Sequence, residues 1–122
     1  MKKLWIFVGL SGALAVITGA MSAHLLADIL SSKELSRIQT AATYQLYHTI
    51  ALAVLCVYYQ FKPLPVIKLS CILFTLAIVL FSGSLYLYTA SAYHPLVFLT
   101  PIGGLLFILG WLNLIRLAFV KP

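Results

Sequence analysis

Apolar residues fill four stretches of the chain almost without interruption, and polar positions gather at the ends of these stretches instead of alternating within them. Neither the period of two of a half-buried strand nor the broad polar face of a surface helix is present, so each stretch reads as a helix surrounded by apolar material. Residues 4–23, 44–61, 66–89 and 96–119 each have the length, about 17 to 25 residues, that crosses the hydrocarbon core of a bilayer. Hydrophobic residues make up 63% of the 122 and charged residues only 8%. Lipid is therefore the solvent. The expected fold class is all-α: a four-transmembrane-helix bundle forming one integral membrane domain over residues 1–122.

The connectors carry their own signals. In residues 31–42, Ser31 and Glu34 have the capping-box spacing, and Leu35, Ile38 and Ala42 share a helical face, which predicts a short interfacial helix between the first and second spans. The run Lys62-Pro63-Leu64-Pro65 breaks the helix before it. Pro95 suits the first turn of the fourth span. Pro101 cannot bond the carbonyl of Val97 and is expected to kink that span, with Thr100 or Ser84 as candidate partners for the freed oxygen. The first span follows Lys2-Lys3 and contains Ala20-Met21-Ser22, a passable cleavage site, but its apolar run exceeds the 7 to 15 residues of a signal segment and reads as a membrane helix.

Charge changes the picture in one respect. A net charge of +6 suggests nucleic acid in a soluble protein, but here the cations sit at span ends, where they anchor helices to headgroups. Nucleic acid is not an expected partner; membrane lipids are. Lys2, Lys3, Lys62, Lys68, Arg116 and Lys121 fall on the side of the termini, against Lys33 and Arg37 on the other, so both termini are expected in the cytoplasm. Cys56 and Cys71 lie inside spans and read as buried free thiols.

Placed by depth, the polar side chains converge on the outer half of the bundle. His24 and Asp28 fall at the end of the first span, Gln45 and His48 at the start of the second, Ser82, Ser84 and Tyr86 in the outer part of the third, and Thr100 at the start of the fourth. His24 and Asp28 are four apart and Gln45 and His48 three apart, so each pair can share a face. These residues form the candidate binding site. The structural account is interhelical hydrogen bonding; the functional one is that intramembrane histidines mark proton, ion or ligand sites. No recognised metal spacing is present, and neither a metal nor another cofactor is expected. Helix packing is assigned to small residues: Ser11, Ala15, Gly19 and Ala23 at four-residue steps in the first span, Gly83 in the third, and Gly103, Gly104 and Gly110 in the fourth. The aromatic residues Tyr44, Tyr47, Tyr58, Tyr59, Tyr86, Tyr88, Tyr93, Trp5 and Trp111 read as an interfacial belt.

Five motifs in order, Gly19-Ala20-Met21-Ser22-Ala23-His24, Tyr44-Gln45-Leu46-Tyr47-His48, Phe81-Ser82-Gly83-Ser84-Leu85-Tyr86, Thr100-Pro101-Ile102-Gly103-Gly104 and Gly110-Trp111, resemble the YgdD-like family of small membrane proteins, the domain of unknown function 423. Met21-Ser22 departs from the family pattern, which more often has an aromatic residue and glycine there. The resemblance implies a four-helix multi-pass protein of the bacterial plasma membrane and no established activity.

Catalysis is not expected, because no GxSxG elbow, HExxH or P-loop occurs and the only acids are Asp28 and Glu34. The leading expectation is a non-enzymatic module that binds a ligand, lipid or partner through the outer polar cluster, as a homo-oligomer or within a larger membrane complex. The alternatives are a small oligomeric transporter and an accessory subunit.

Overall fold

The computed structural model describes residues 1–121. Helix α1 covers Lys2–Ala23, α2 Ser32–Phe61, α3 Pro65–Ser91 and α4 Leu99–Leu114, with short 3-10 turns at Leu26–Asp28, His94–Phe98 and Ile115–Phe119. No strand occurs among the described residues. All four helices, the last taken with its flanking turns as His94–Phe119, are long and apolar enough to cross a membrane. The chain is an all-α membrane protein with four spans.

One element departs from the sequence expectation. The capping box forms, with the Glu34 backbone N–H donating to the Ser31 hydroxyl at 3.2 Å and that hydroxyl donating to Oε1 of Glu34 at 2.9 Å. The helix it starts is not a separate surface segment, however, but the first part of the 30-residue α2. Nothing between Ala42 and Tyr44 can stop a helix, since no glycine, proline or competing cap intervenes. Ile38, Ala41 and Ala42 are also buried within the protein instead of lying flat on lipid. At 1.5 Å per residue α2 is about 45 Å long. Gln45 and His48 consequently sit near its middle.

Prolines and caps set the other boundaries. Lys62 is extended, its N–H bonds the carbonyl of Tyr58, and Pro65 opens α3 where no backbone donor is required. Pro101 likewise falls in the first turn of α4, because the chain before it is a 3-10 turn. A kink in mid-helix is therefore not needed, and the hydroxyls of Thr100 and Ser84 bond one another at 2.5 Å. Helix α3 ends on Ala92 at φ 55°, the left-handed conformation that costs an L-residue roughly 1 kcal/mol and that glycine adopts freely. Ala92→Gly is expected to stabilise the protein by about 0.5 to 1 kcal/mol, read as a higher thermal midpoint in detergent.

Consecutive helices pack against each other as antiparallel neighbours: α1 on α2, α2 on α3, and α3 on α4. The central pair α2 and α3 supplies the core, with Leu52, Ile67, Phe74 and Ala77 fully buried. The flanking helices turn Leu10, Leu14 and Ile17 of α1 and Leu105, Ile108 and Leu112 of α4 outward. Such apolar exposure suits lipid. Glycine fixes the α3–α4 approach. A Cβ on Gly103 would stand 2.5 Å from the backbone nitrogen of Phe81, and one on Gly110 would stand 2.5 Å from the Phe74 ring. Elsewhere the small residues are used unevenly: Ser11 and Ala15 are buried, Gly104 makes ordinary contact with the Phe81 ring, Ala23 is exposed, and Gly19 and Gly83 face open space.

Candidate functional site

Halfway along α2, three faces of one helix carry polar or aromatic groups toward different neighbours. Toward α1, the Thr49 and Ser11 hydroxyls pair at 2.8 Å, and Nε2 of Gln45 donates to both the carbonyl and the hydroxyl of Ser11 at 3.1 Å. Toward α3, the Tyr86 hydroxyl donates to Oε1 of Gln45 at 2.6 Å, and one turn earlier on α2 the Ala41 carbonyl accepts from Ser82 at 2.8 Å. Tyr86 reaches Gln45 because a helical side chain leans toward the N-terminus of its helix, here deeper into the bilayer. One amide thus ties three helices together.

Toward α4 the group is His48. Its Nε2 accepts from the indole N–H of Trp111 at 3.0 Å, and its Nδ1 lies 2.7 Å from the carbonyl of Tyr44. Indole N–H only donates and a carbonyl only accepts, so the ring is the neutral form carrying its proton on Nδ1. Its face stacks on Phe107 with centroids 3.7 Å apart, and Phe74 meets it edge-on at 5.4 Å. A third link lies nearer the termini: Ser70 donates to the carbonyl of Gly110 at 2.9 Å, while Asn113 donates to the Val66 carbonyl at 2.8 Å and to Ser70 at 2.9 Å. Among the described residues, no buried side-chain nitrogen or oxygen lacks a partner.

The residues singled out in sequence therefore divide. Gln45 and Tyr86 bond each other, Ser82 bonds the Ala41 carbonyl one turn earlier on α2, Ser84 and Thr100 pair between α3 and α4, and His48, about 60° round α2 from Gln45, is held by Trp111. His24 and Asp28 join neither group; both are exposed, at the end of α1 and in the following turn. From Ser11 to His24 the chain advances 13 residues, about 20 Å along a helix, so His24 stands far from His48 in depth. Because α2 begins at Ser32, Gln45 and His48 lie near the middle of that helix instead of at its start. Two aromatic residues of the expected belt donate to side chains of α2: Tyr86 to Gln45, and Trp111, itself half exposed, to His48. Among the described residues no three His, Cys, Asp or Glu side chains gather as a metal set, and Cys56 and Cys71 are buried free thiols.

Two lateral openings adjoin these groups. Helix α1 stands off from α3 and leaves a furrow in two parts that share Phe7 as a wall, about 680 Å³ on the side of the termini and about 290 Å³ beside Gln45, Ser82 and Tyr86. On the other face a groove of about 670 Å³ lies between α2 and α4, with Tyr44, His48, Phe107 and Trp111 on its walls.

Residues 18–104 match the family described as "Protein of unknown function (DUF423)". The chain belongs to this family. A DUF423 assignment agrees with curated relatives of nearly the same length. The chain is 41% identical over 113 residues to a "UPF0382 membrane protein" of Haemophilus influenzae, covering 93% of this chain and 90% of that one. It is 43% identical over 114 residues to one of Staphylococcus epidermidis, covering 93% of each. The "UPF0382 inner membrane protein YgdD" of Escherichia coli K12 is 39% identical over 110 residues, covering 90% of this chain and 84% of that one. No solved structure gives a significant match. The DUF423 match takes in Gln45, His48, Thr49, Ser82 and Tyr86, whereas their partners Ser11 and Trp111 lie outside it. Thr49 and Phe107 escaped the sequence reading altogether. Thr49 had a usable signal, its place one turn after Gln45 on the same face; Phe107 is one apolar residue among many, with none.

Proposed function

We propose that this chain is a non-enzymatic module of the bacterial plasma membrane that takes a lipid from the bilayer into the furrow between α1 and α3, with both termini in the cytoplasm. The observation that carries this reading is the contrast between the polar groups and the open space. Gln45, His48, Ser82 and Tyr86 engage their donors and acceptors on other helices, which suits holding the bundle together better than binding a polar substrate. The furrow, by contrast, is walled mainly by apolar side chains, among them Leu4, Phe7, Leu10, Ile72 and Val79. A paired network of this kind offers no support to a transport path. The orientation rests on the excess of Lys and Arg on the side of the termini.

Filling the furrow tests the reading. A Cβ on Gly83 meets nothing within 4 Å, and Thr75 lines the furrow with a hydroxyl that bonds only the Cys71 carbonyl of its own helix. Native mass spectrometry of the protein released from mild detergent is expected to find bound phospholipid on the wild type and little on Thr75→Phe, Gly83→Phe. Equal retention by both, or bare wild-type protein, would overturn it.

One observation favours a second reading, a homo-oligomer or a subunit of a larger membrane complex packed along α1. The stripe of small residues continues past Ser11 and Ala15 to Gly19, which no other helix covers. Cysteines introduced at Gly19 and Ala23 and cross-linked in native membranes are expected, on that reading, to give one defined adduct whose mass identifies a second copy or a different subunit.

A further inference from the structure

We infer that the furrow between α1 and α3 selects anionic phospholipids, with the lipid phosphate held by Lys3 and Lys68 and one acyl chain lying along the furrow toward Gly83; this rests on the lipid-binding reading above. The two lysines stand on different helices at the same mouth, beside Tyr59. Both are exposed, at the depth where a basic side chain meets headgroups. Among the described residues neither has a side-chain carboxylate to neutralise it: the two acidic side chains of the sequence, Asp28 and Glu34, lie at the opposite end of the bundle. Below the cations the walls become apolar at once, through Leu4, Phe7, Ile72 and Leu76. This order, charge at the surface and hydrocarbon beneath, is that of a phospholipid.

Length agrees as well. From Lys68 to Gly83 α3 rises about 22 Å, more than the roughly 15 Å of half a hydrocarbon core, so an acyl chain anchored at the lysines lies within the furrow over its whole length. A second copy of the chain is a poorer occupant. Oriented the same way in the membrane, it would bring its own Lys2, Lys3 and Lys68 against the same mouth, and like charges repel there. An anionic headgroup supplies the missing counter-charge.

The test uses the full chain, delipidated in detergent and offered equal amounts of phosphatidylglycerol and phosphatidylcholine with identical acyl chains, with bound lipid weighed by native mass spectrometry. A surface lysine favours an anionic lipid by roughly fivefold, so the wild type is expected to prefer phosphatidylglycerol by on the order of 10-fold or more, less at high salt. Lys3→Gln, Lys68→Gln should bring the ratio near one while still binding lipid. Both side chains are exposed and make no hydrogen bond among the described residues, so helicity by circular dichroism should be unchanged. Lys33→Gln, Arg37→Gln at the far end should leave the ratio intact. A wild-type ratio near one with lipid bound overturns the inference and leaves the lipid reading standing; no bound lipid of either class overturns both. A ratio that survives Lys3→Gln, Lys68→Gln, or that collapses in Lys33→Gln, Arg37→Gln, overturns the placement of the headgroup.

Discussion

Gly103→Ala is expected to destabilise the bundle by about 2 to 3 kcal/mol, the upper part of the range for overpacking a filled interior. The added carbon would stand 2.5 Å from the nitrogen and 2.8 Å from the Cα of Phe81. These are backbone atoms, which cannot rotate aside, so α3 and α4 must separate. Separation would loosen the Ser70–Gly110 and Ser84–Thr100 bonds along the same interface. Gly83→Ala is the matched control, since its Cβ meets nothing within 4 Å and alanine is the better helix former. That variant should be neutral or slightly more stable. Denaturant or thermal unfolding followed by circular dichroism in one detergent measures both, and a Gly103→Ala midpoint equal to that of Gly83→Ala would refute the close approach.

His48→Ala is expected to cost a similar amount, about 2 to 3 kcal/mol. The substitution removes a buried ring stacked on Phe107 and faced by Phe74, and leaves a cavity that the fixed backbones of α2 and α4 cannot close. It also strands the Trp111 indole N–H among apolar groups. His48→Phe keeps the ring and loses only the hydrogen bonds, so it should cost about 1 kcal/mol. A double-mutant cycle with Trp111→Phe isolates the His48–Trp111 bond, for which roughly 0.6 kcal/mol, and at most about 1.7, is the expectation in a membrane bundle. A coupling of zero would place the stability of this layer in ring packing alone. The emission of Trp111 should change when His48 is replaced, which reports the contact independently.

How far these features could be read beforehand depended on the kind of signal. Four spans were plain because hydrocarbon thickness imposes length and composition together, and the proline break at Pro63 and Pro65 needs only local geometry. The start of α2 was misread for a physical reason. Residues 32–43 are polar enough to resemble a surface segment, but what decides their path is burial of Ile38, Ala41 and Ala42 against other helices, a tertiary fact. That single boundary moved Gln45 and His48 from the start of a helix to its middle, while His24 stays at the end of α1. Gln45, Ser82 and Tyr86 could be grouped from depth alone, but rotation about each helix axis could not be read at all. The Trp111–His48 bond and the part played by Thr49 therefore emerged only with the structure, as did the difference between Gly103, pressed on a backbone, and Gly83, facing space.

The bond from Gln45 to Ser11 also bears on how the chain is made. Helix α2 has the lowest mean hydropathy of the four spans, 1.3 against 2.0 to 2.2, so on its own it is the segment least willing to leave the insertion machinery for lipid. Its amide finds the hydroxyl and carbonyl of Ser11 on the helix synthesised just before it. The first two spans can therefore partition as a hairpin with the most polar contact already made, and α3 arrives afterwards to supply Tyr86 to the remaining oxygen of Gln45. The order of the helices in the gene is thus also an order in which each new span finds its polar partners waiting.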